Sequence, residues 1–163
     1  MIREQVVQRF LRATQQGICP CCFRGVDLTS GKLISKHWYK RPGWAEVAVD
    51  CYGVGYPPFE VSSEGTKDLV PILRKRISWY EDVLRDLKAG RVKELWVHGW
   101  KQKLTKVISE DPDWEAALTD RTDKTELRIA SLVKDIQLLS RLIAAWEPQA
   151  LGAEFKTPMR FRL

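Results

Sequence analysis

The segment Cys19-Pro20-Cys21-Cys22 constrains the fold of this chain more than any other feature of its sequence. Its first and last cysteines are separated by two residues, a spacing at which a tight turn directs both sulfurs to one point. His37 and Cys51 extend the pattern to C-x2-C-x14-H-x13-C. Three thiolates and one imidazole complete the tetrahedral shell of Zn²⁺ and leave no position for water, so we predict a structural zinc site. In a small module such a site supplies folding free energy directly.

The sequence leaves open which sulfurs bind the metal. We expect Cys21 to point away, because it lies between the two cysteines of the C-x-x-C pair, Cys19 and Cys22. His98 is the only other histidine and is an alternative to His37, although it is remote in sequence. Buried cysteines that act as small apolar side chains are the competing interpretation. A redox C-x-x-C pair is disfavoured, since the βαβ context of such motifs is missing.

The cysteines and the opening residues indicate a compartment. Residues 1–5 contain no apolar region and no small-residue cleavage site, so we expect no signal peptide. We also find no apolar run of the length that spans a membrane. Four cysteines in a chain without an export signal are expected to be reduced thiols or metal ligands rather than disulfides. We therefore expect a cytosolic protein.

The segments around the cysteines have the composition of a small β module. Residues 1–17 show helical apolar spacing, and Gly17 suits the end of that helix. Residues 18–62 are rich in glycine, proline, cysteine and aromatic side chains, which is typical of short strands joined by turns. The predicted strands are 26–28 and 33–35, joined by a turn at 29–32, and a third strand at 46–50.

From residue 63 to residue 150 the apolar period becomes helical. Pro71 places the start of the first helix near Asp68 or kinks its first turns. The second helix starts either at Asp111-Pro112 or at a capping box formed by Asp123 and Glu126, and Pro148 stops it. The apolar residues of the first helix are Leu73, Ile77, Tyr80, Leu84 and Leu87, and those of the second are Ile129, Leu132, Ile136, Leu139, Ile143 and Trp146.

Two helices of comparable length with matching apolar seams are expected to pack as an antiparallel hairpin. Residues 91–110 would form its tip, as a short β-hairpin or an irregular loop. Residues 151–163 would add an edge strand or form a basic arm. We therefore predict an α+β fold, in which a small zinc-pinned β module of zinc-ribbon or knuckle type precedes a long helical hairpin.

Charge points to the class of partner. The net charge is +6 and the pI is about 9.2. Basic residues concentrate in the first helix and the tip, where they could neutralise phosphates, meet an acidic protein surface or simply be solvated. The candidate binding residues are Arg74, Lys75, Arg76, Arg91, Lys93, Trp96, Trp100, Lys101, Lys103 and Lys106 in this basic zone, and Trp38, Lys40, Arg41 and Trp44 beside the predicted metal ligands.

The tryptophans have two interpretations. Exposed aromatic rings among basic residues could stack on unpaired bases. Seven tryptophans must nevertheless cover a small core. For any single one of Trp38, Trp44 and Trp96 we therefore expect packing beneath the metal module or the hairpin.

Known catalytic motifs do not fit the sequence. The zinc deaminase pattern needs H-x-E before P-C-x-x-C, and residues 37–39, His-Trp-Tyr, lack that glutamate. The chain has no H-E-x-x-H, P-loop or G-x-S-x-G motif. Gly53-Val54-Gly55 is too short for a dinucleotide fingerprint, and we interpret it as the turn that frees the backbone around Cys51. We therefore expect no enzymatic activity.

This chain resembles uncharacterised bacteriophage and prophage proteins in three places: Cys19-Pro20-Cys21-Cys22, His37 with Arg41-Pro42-Gly43, and Cys51 to Ser62. Those proteins open with a CPxC module and continue into a long charged helical hairpin that ends near a Trp-x-Pro, here Trp146-Glu147-Pro148. Their usual pattern has a glycine after the second cysteine, where this chain has Phe23. The resemblance implies a phage origin, a zinc site and the host bacterial cytoplasm, and it supplies no activity.

Two functions from different classes follow as hypotheses. The first is a non-enzymatic accessory protein that binds zinc and acts on or beside nucleic acid. The alternative is a phage inhibitor that occludes a host enzyme, a nucleoprotein or an antiviral defence complex in the manner of an anti-CRISPR protein, with Trp96 or Trp100 as anchors. A homodimer formed through Leu138 and Leu142, which lie off the main seam, is also open.

Overall fold

The computed structural model describes residues 15–40, 48–98 and 104–152. In chain order its elements are β1 (Gln16–Ile18), β2 (Gly25–Asp27), β3 (Trp38–Lys40), β4 (Ala48–Asp50), α1 (Glu64–Lys88), β5 (Glu94–His98), β6 (Leu104–Ile108) and α2 (Trp114–Ala144). The described residues thus form an α+β fold with three two-stranded antiparallel sheets and two helices. In the described part of the chain neither helix is both long and apolar enough to cross a membrane.

The chain divides into two compact units. The first comprises residues 1–70 and 139–163, and the second comprises residues 71–138. The first unit contains the sheets β1–β2 and β3–β4 around a small core that includes Phe23 and Phe59. The rings of these two residues meet edge to face with their centroids 5.1 Å apart. A core this small is typical of a module that needs additional cross-links for stability.

The predicted helix over residues 1–17 is wrong at its end. Residues 16 and 17 belong to β1, and Gly17 pairs with Val26 of β2. A Cβ at Gly17 would lie 2.8 Å from the side chain of Pro58, so the glycine allows close packing of this strand rather than a helix stop. Residues 1–14 of this prediction lie outside the described part of the chain.

The predicted hairpin at 26–35 is present in a shortened form. A single antiparallel bridge joins Leu28 to Ile34. On one side of it Thr29 N–H donates to Leu33 O at 2.8 Å, and on the other Ser35 N–H donates to Asp27 O at 3.1 Å. The full strand partner of β2 is β1. Ile34 N–H donates to Tyr56 O at 2.8 Å, so this segment also bonds to the loop after Cys51. Of the third predicted strand, residues 48–50 form β4, and residues 46–47 lie outside the described residues.

Each helix buries part of its predicted apolar seam and leaves the rest half-buried, and the helix starts differ from expectation. Helix α1 begins at Glu64, whose N–H donates to Ser62 Oγ, and therefore includes Pro71 at an exposed position rather than starting near Asp68. Helix α2 begins at Trp114, which confirms the earlier start after Asp111-Pro112. Asp123 lies inside α2, so the capping box predicted there is wrong. Leu73, Leu87, Leu132 and Leu139 are fully or almost fully buried.

The second unit has its own core at the β5–β6 hairpin, which occupies the predicted tip. Leu95 and Val107 form a cross-strand pair and pack with Leu87 of α1 and Trp114 of α2. The side chains of Lys88 and Glu126 form an ion pair at 2.6 Å between the two helices. The alternation of the strands leaves the side chain of Trp96 on the opposite, exposed face.

Candidate metal centre

The structure brings Cys19, Cys22, His37 and Cys51 together. Their ligand atoms, three Sγ atoms and one imidazole nitrogen, all lie within 4.8 Å of one another. Sγ of Cys19 is 3.7 Å from Sγ of Cys51, and Sγ of Cys22 is 3.3 Å from Nε2 of His37. A tetrahedral zinc ion with Zn–S bonds of about 2.3 Å places its sulfur ligands about 3.8 Å apart. The four side chains therefore have the chemistry and the spacing of a Cys₃His metal site.

Cys19 and Cys22 are positioned by a tight turn after β1. Cys19 N–H donates to Arg24 O at 2.9 Å, and Phe23 N–H donates to Cys19 O at 3.0 Å. Phe23 has a φ of 54°, in the left-handed region that glycine adopts most readily. Its ring is almost fully buried against Phe59, and this packing offsets a backbone cost of about 1–2 kcal/mol. The chain thus forms the turn without a glycine at this position.

His37 and Cys51 are positioned by the β3–β4 ladder. Trp38 pairs with Asp50, so the residues just outside this pair, His37 and Cys51, also lie opposite each other. Cys51 N–H donates to His37 O at 3.0 Å and extends the ladder by one bond. Successive side chains alternate between the two faces of a ribbon. One face therefore brings imidazole and thiol to the cluster, and the other presents Trp38 and Asp50.

A hydrogen bond selects the nitrogen of His37 that faces the cluster. Its Nδ1 lies 3.0 Å from Ser35 O, a carbonyl that can only accept, so Nδ1 carries the proton. Nε2 is then the unprotonated nitrogen, and it is the one beside Cys22. Metal-binding histidines are commonly oriented in this way. His98, the alternative ligand, lies on β5 and is not among the four clustered residues.

The surroundings of the clustered thiols shift their pKa values in opposite directions. Hydrogen bonds from Cys19 and Cys51, together with the Arg24 guanidinium, hold the pKa of Cys22 far below its ordinary value. The hydrogen bond to Cys22 raises the pKa of Cys19 far above its ordinary value, and burial adds to the rise. These surroundings favour the thiolate form at Cys22 over that at Cys19. A divalent cation would displace the thiol protons, because metals bind the thiolate form.

Cys21 lies apart from these four residues and contacts the first turn of α1. Its Sγ donates to Gly65 O at 3.4 Å, and its side chain is almost fully buried. Burial raises the pKa of the Cys21 thiol well above its ordinary value. Thr66 Oγ1 donates to Pro20 O at 2.6 Å in the same contact. Cys21 and Pro20 therefore attach the cysteine turn to the start of α1.

Two residues that support the cluster were missed by the sequence analysis. Arg24 Nε lies 3.5 Å from Cys22 Sγ, and its terminal nitrogen donates to Trp38 O at 2.7 Å. Glu60 is buried, and its carboxylate accepts a hydrogen bond from Ile18 N–H, with oxygens at 2.9 and 3.1 Å. This bond holds the strand that leads into Cys19. No local motif distinguishes either residue, since both act across turns that only the fold brings together.

The predicted binding residues fall into three groups. Trp38 and Trp96 are each 60% exposed, so the expectation that they pack in a core is wrong. Arg91 forms an ion pair with Asp86, and Lys106 with Glu94, which lowers the charge that the tip offers to a partner. Arg74, Lys75 and Lys93 are exposed, and Arg76 is half-buried. Arg41, Trp44, Trp100, Lys101 and Lys103 lie outside the described residues, and of Lys40 only the backbone, in β3, is described.

Leu138 and Leu142, predicted as leftover apolar residues for a homodimer, are both half-buried.

Comparisons of the chain with protein-family models, with curated proteins and with solved structures return no match.

Proposed function

We propose that this chain is a non-enzymatic, zinc-binding accessory protein of phage origin that acts on or beside nucleic acid in the host cytoplasm. The observation that carries the proposal is the cluster of Cys19, Cys22, His37 and Cys51. Three thiolates and one imidazole would give zinc a complete first shell without a water ligand. Zinc would supply no catalytic position in this arrangement, only a cross-link for a module with a small core.

The architecture we infer is a zinc-pinned β module followed by an antiparallel helical hairpin. The cluster ties the turn after β1 to both strands of the β3–β4 ribbon. For the hairpin, the support is the Lys88–Glu126 ion pair and the shared packing of Leu87 and Trp114. An exposed ion pair contributes little energy, so the apolar seams would hold the helices together.

Exposed aromatic and cationic side chains support the nucleic-acid role. Trp38 and Trp96 present most of their rings to solvent, where a base could stack on them. Among the described residues, no ion pair involves Arg74, Lys75 or Lys93, so these charges are available to phosphates. Binding of this kind is mainly electrostatic and falls steeply as salt rises.

A pull-down from bacterial lysate with a tagged copy, with and without nuclease, tests this function. Partners that disappear after nuclease treatment support it, as does direct binding of labelled oligonucleotides that weakens between about 50 and 200 mM salt. A single protein that is retained after nuclease and in moderate salt, with no oligonucleotide bound directly, would contradict it.

One observation favours the second candidate, an inhibitor that occludes a host protein. The exposed face of the β5–β6 hairpin carries three large apolar side chains, Trp96, Leu104 and Ile108, which are 60%, 55% and 39% exposed. In the register of the hairpin Trp96 opposes Lys106, so Leu104 and Ile108 are its diagonal neighbours. A Trp-centred apolar surface of this kind is suited to a protein interface. Trp96→Ala should then abolish capture of the retained protein.

A further inference from the structure

We propose that the outward face of the β3–β4 ribbon is a binding site for single-stranded nucleic acid, in which one base stacks on the indole of Trp38 and Lys36 holds an adjacent phosphate. This inference rests on the proposed nucleic-acid role and assigns it to a place and a strand type.

The position of the metal ligands determines that the side chain of Trp38 faces solvent. His37 belongs to the Cys₃His cluster, and Trp38 is the next residue along the chain. Because neighbouring side chains on a strand point to opposite faces, a ligand at position 37 directs the indole at position 38 away from the cluster. Its exposed fraction of 60% leaves a broad ring surface open to solvent.

Trp38 is also held in place. Its carbonyl accepts a hydrogen bond from the Arg24 guanidinium at 2.7 Å, and Arg24 in turn contacts Cys22 Sγ. Its cross-strand partner is Asp50, which precedes the cluster residue Cys51. The backbone of Trp38 is thus tied to the metal cluster on both sides. A fixed backbone leaves only the side-chain torsions of Trp38 to be ordered on binding, which lowers the entropy cost.

The charges around the indole suit a phosphate. Lys36 precedes Trp38 by two residues, on the same side of the chain by strand alternation. Its ion pair with Asp50 measures 3.3 Å, and the two side chains are 71% and 58% exposed. Such an exposed pair contributes little free energy, so a phosphate can replace the carboxylate as the partner of Lys36. The exposed Arg24 guanidinium also lies beside Trp38, where it donates to the Trp38 carbonyl.

The ring surface selects the type of nucleic acid. Stacking on an indole requires a base with a free face, and bases in a duplex already stack on their neighbours. A single strand supplies free faces along its length. The site should therefore prefer single strands to duplexes of the same sequence.

Fluorescence anisotropy of the zinc-loaded full chain with a labelled 12-nucleotide strand tests this site. The strands are oligo(dT) and oligo(rU), each compared with a 12-base-pair duplex. Because stacking on an aromatic side chain is worth about 1–3 kcal/mol per base, Trp38→Ala should weaken single-strand binding about 5- to 150-fold. Trp38→Phe should restore part of the loss. Trp79→Ala, which removes another exposed indole, is the matched control and should leave binding unchanged.

Substitution of Asp50 should increase the affinity for the strand, a result that a misfolded variant would not give. Asp50→Asn frees Lys36 and removes a negative charge from the face, so it should tighten binding by about twofold or more. Lys36→Ala should weaken it and lower the salt dependence by about one phosphate contact. Equal zinc content in all variants shows that the module is intact.

The outcomes separate the two proposals. Weaker binding by Trp38→Ala with tighter binding by Asp50→Asn supports this site, and the DNA and RNA arms show which strand it takes. Unchanged binding by Trp38→Ala, or equal affinity for strand and duplex, overturns this site but leaves the nucleic-acid role standing. Absence of binding to every oligonucleotide overturns both.

Discussion

A Cβ atom built on Gly53 would lie 2.3 Å from Sγ of Cys19. The chain passes directly against the Cys/His cluster at this point, two residues after Cys51, and only a residue without a side chain fits there. Gly53 does not have a positive φ, so the glycine is needed for space and not for its backbone conformation. Gly53 is therefore part of the candidate metal centre although it has no ligand atom.

Gly53→Ala should displace Cys19 and impair metal binding. A clash at this distance cannot be relieved by a flexible side chain, because the Cys19 sulfur is held in the cluster. We expect a loss of stability of about 1–3 kcal/mol in the metal-loaded protein, measured by urea unfolding, and weaker zinc affinity. Gly25→Ala is the matched control, since a Cβ there meets nothing within 4 Å. Equal stability of the two variants would contradict the close approach.

Arg24→Gln should weaken zinc binding without removing a ligand. A site with three thiolates, one neutral imidazole and Zn²⁺ carries a net negative charge, which the guanidinium beside Cys22 offsets. Loss of such a supporting group typically reduces metal affinity about 10- to 100-fold. Competition with a chromophoric chelator measures the change. Arg85→Gln, which removes an exposed guanidinium from α1, serves as control, and an affinity equal to wild type in Arg24→Gln would refute the role.

Cys21 and Cys22 should respond differently to replacement. Cys22→Ala removes a cluster ligand and should abolish stoichiometric zinc binding. Cys21→Ala should retain zinc, because this thiol contacts Gly65 O instead, and should lose about 1 kcal/mol of stability. Zinc content and urea unfolding of both variants check the prediction. Loss of zinc in Cys21→Ala, with zinc retained in Cys22→Ala, would reverse the assignment of the ligands.

Asp135→Asn on α2 should stabilise the protein in a pH-dependent way. Burial raises the pKa of the Asp135 carboxyl above its ordinary value of 3.8, and Arg128 offsets part of the rise. The folded chain thus binds this proton more tightly than the unfolded chain, so stability falls as pH rises from 3.8 through the folded-state pKa. Asp135→Asn does not lose stability in this way, because the asparagine side chain does not ionise.

Urea unfolding at pH 7 should therefore show Asp135→Asn to be more stable than wild type, and the difference should shrink as the pH is lowered. The comparison is made between the two proteins at each pH, so effects on the rest of the molecule cancel. Asp123→Asn removes one charge from an exposed position of the same helix and is the control. A lower stability of Asp135→Asn at pH 7 would contradict the prediction.

Local patterns in the sequence predicted the Cys/His cluster and the two helices well, for physical reasons. The C-x-x-C spacing restricts a turn strongly, and the apolar residues Leu73, Leu87, Leu132 and Leu139 follow a helical period that only one face can bury. The structure brings together the four residues predicted as ligands and buries these four leucines. Both signals depend on residues close together in sequence or on a sustained period.

The remaining features depend on contacts between distant residues. Gly17 suits a helix stop by local rules, but its packing against Pro58 places it in a strand. Trp38 was expected in the core because seven tryptophans must cover a small core. Its exposure follows from the position of His37, whose side chain takes the face of the ribbon toward the Cys/His cluster. The ion pair between Lys106 and Glu94 likewise depends on the strand register. A count of basic residues gives no information on that register.

The most direct test of the central claim is the zinc content of the purified chain, measured by plasma mass spectrometry after purification without added metal or chelator. The structure predicts about one zinc ion per chain in the wild type and close to none in Cys22→Ala. A folded wild-type chain that contains no zinc and takes up none from solution would contradict the account.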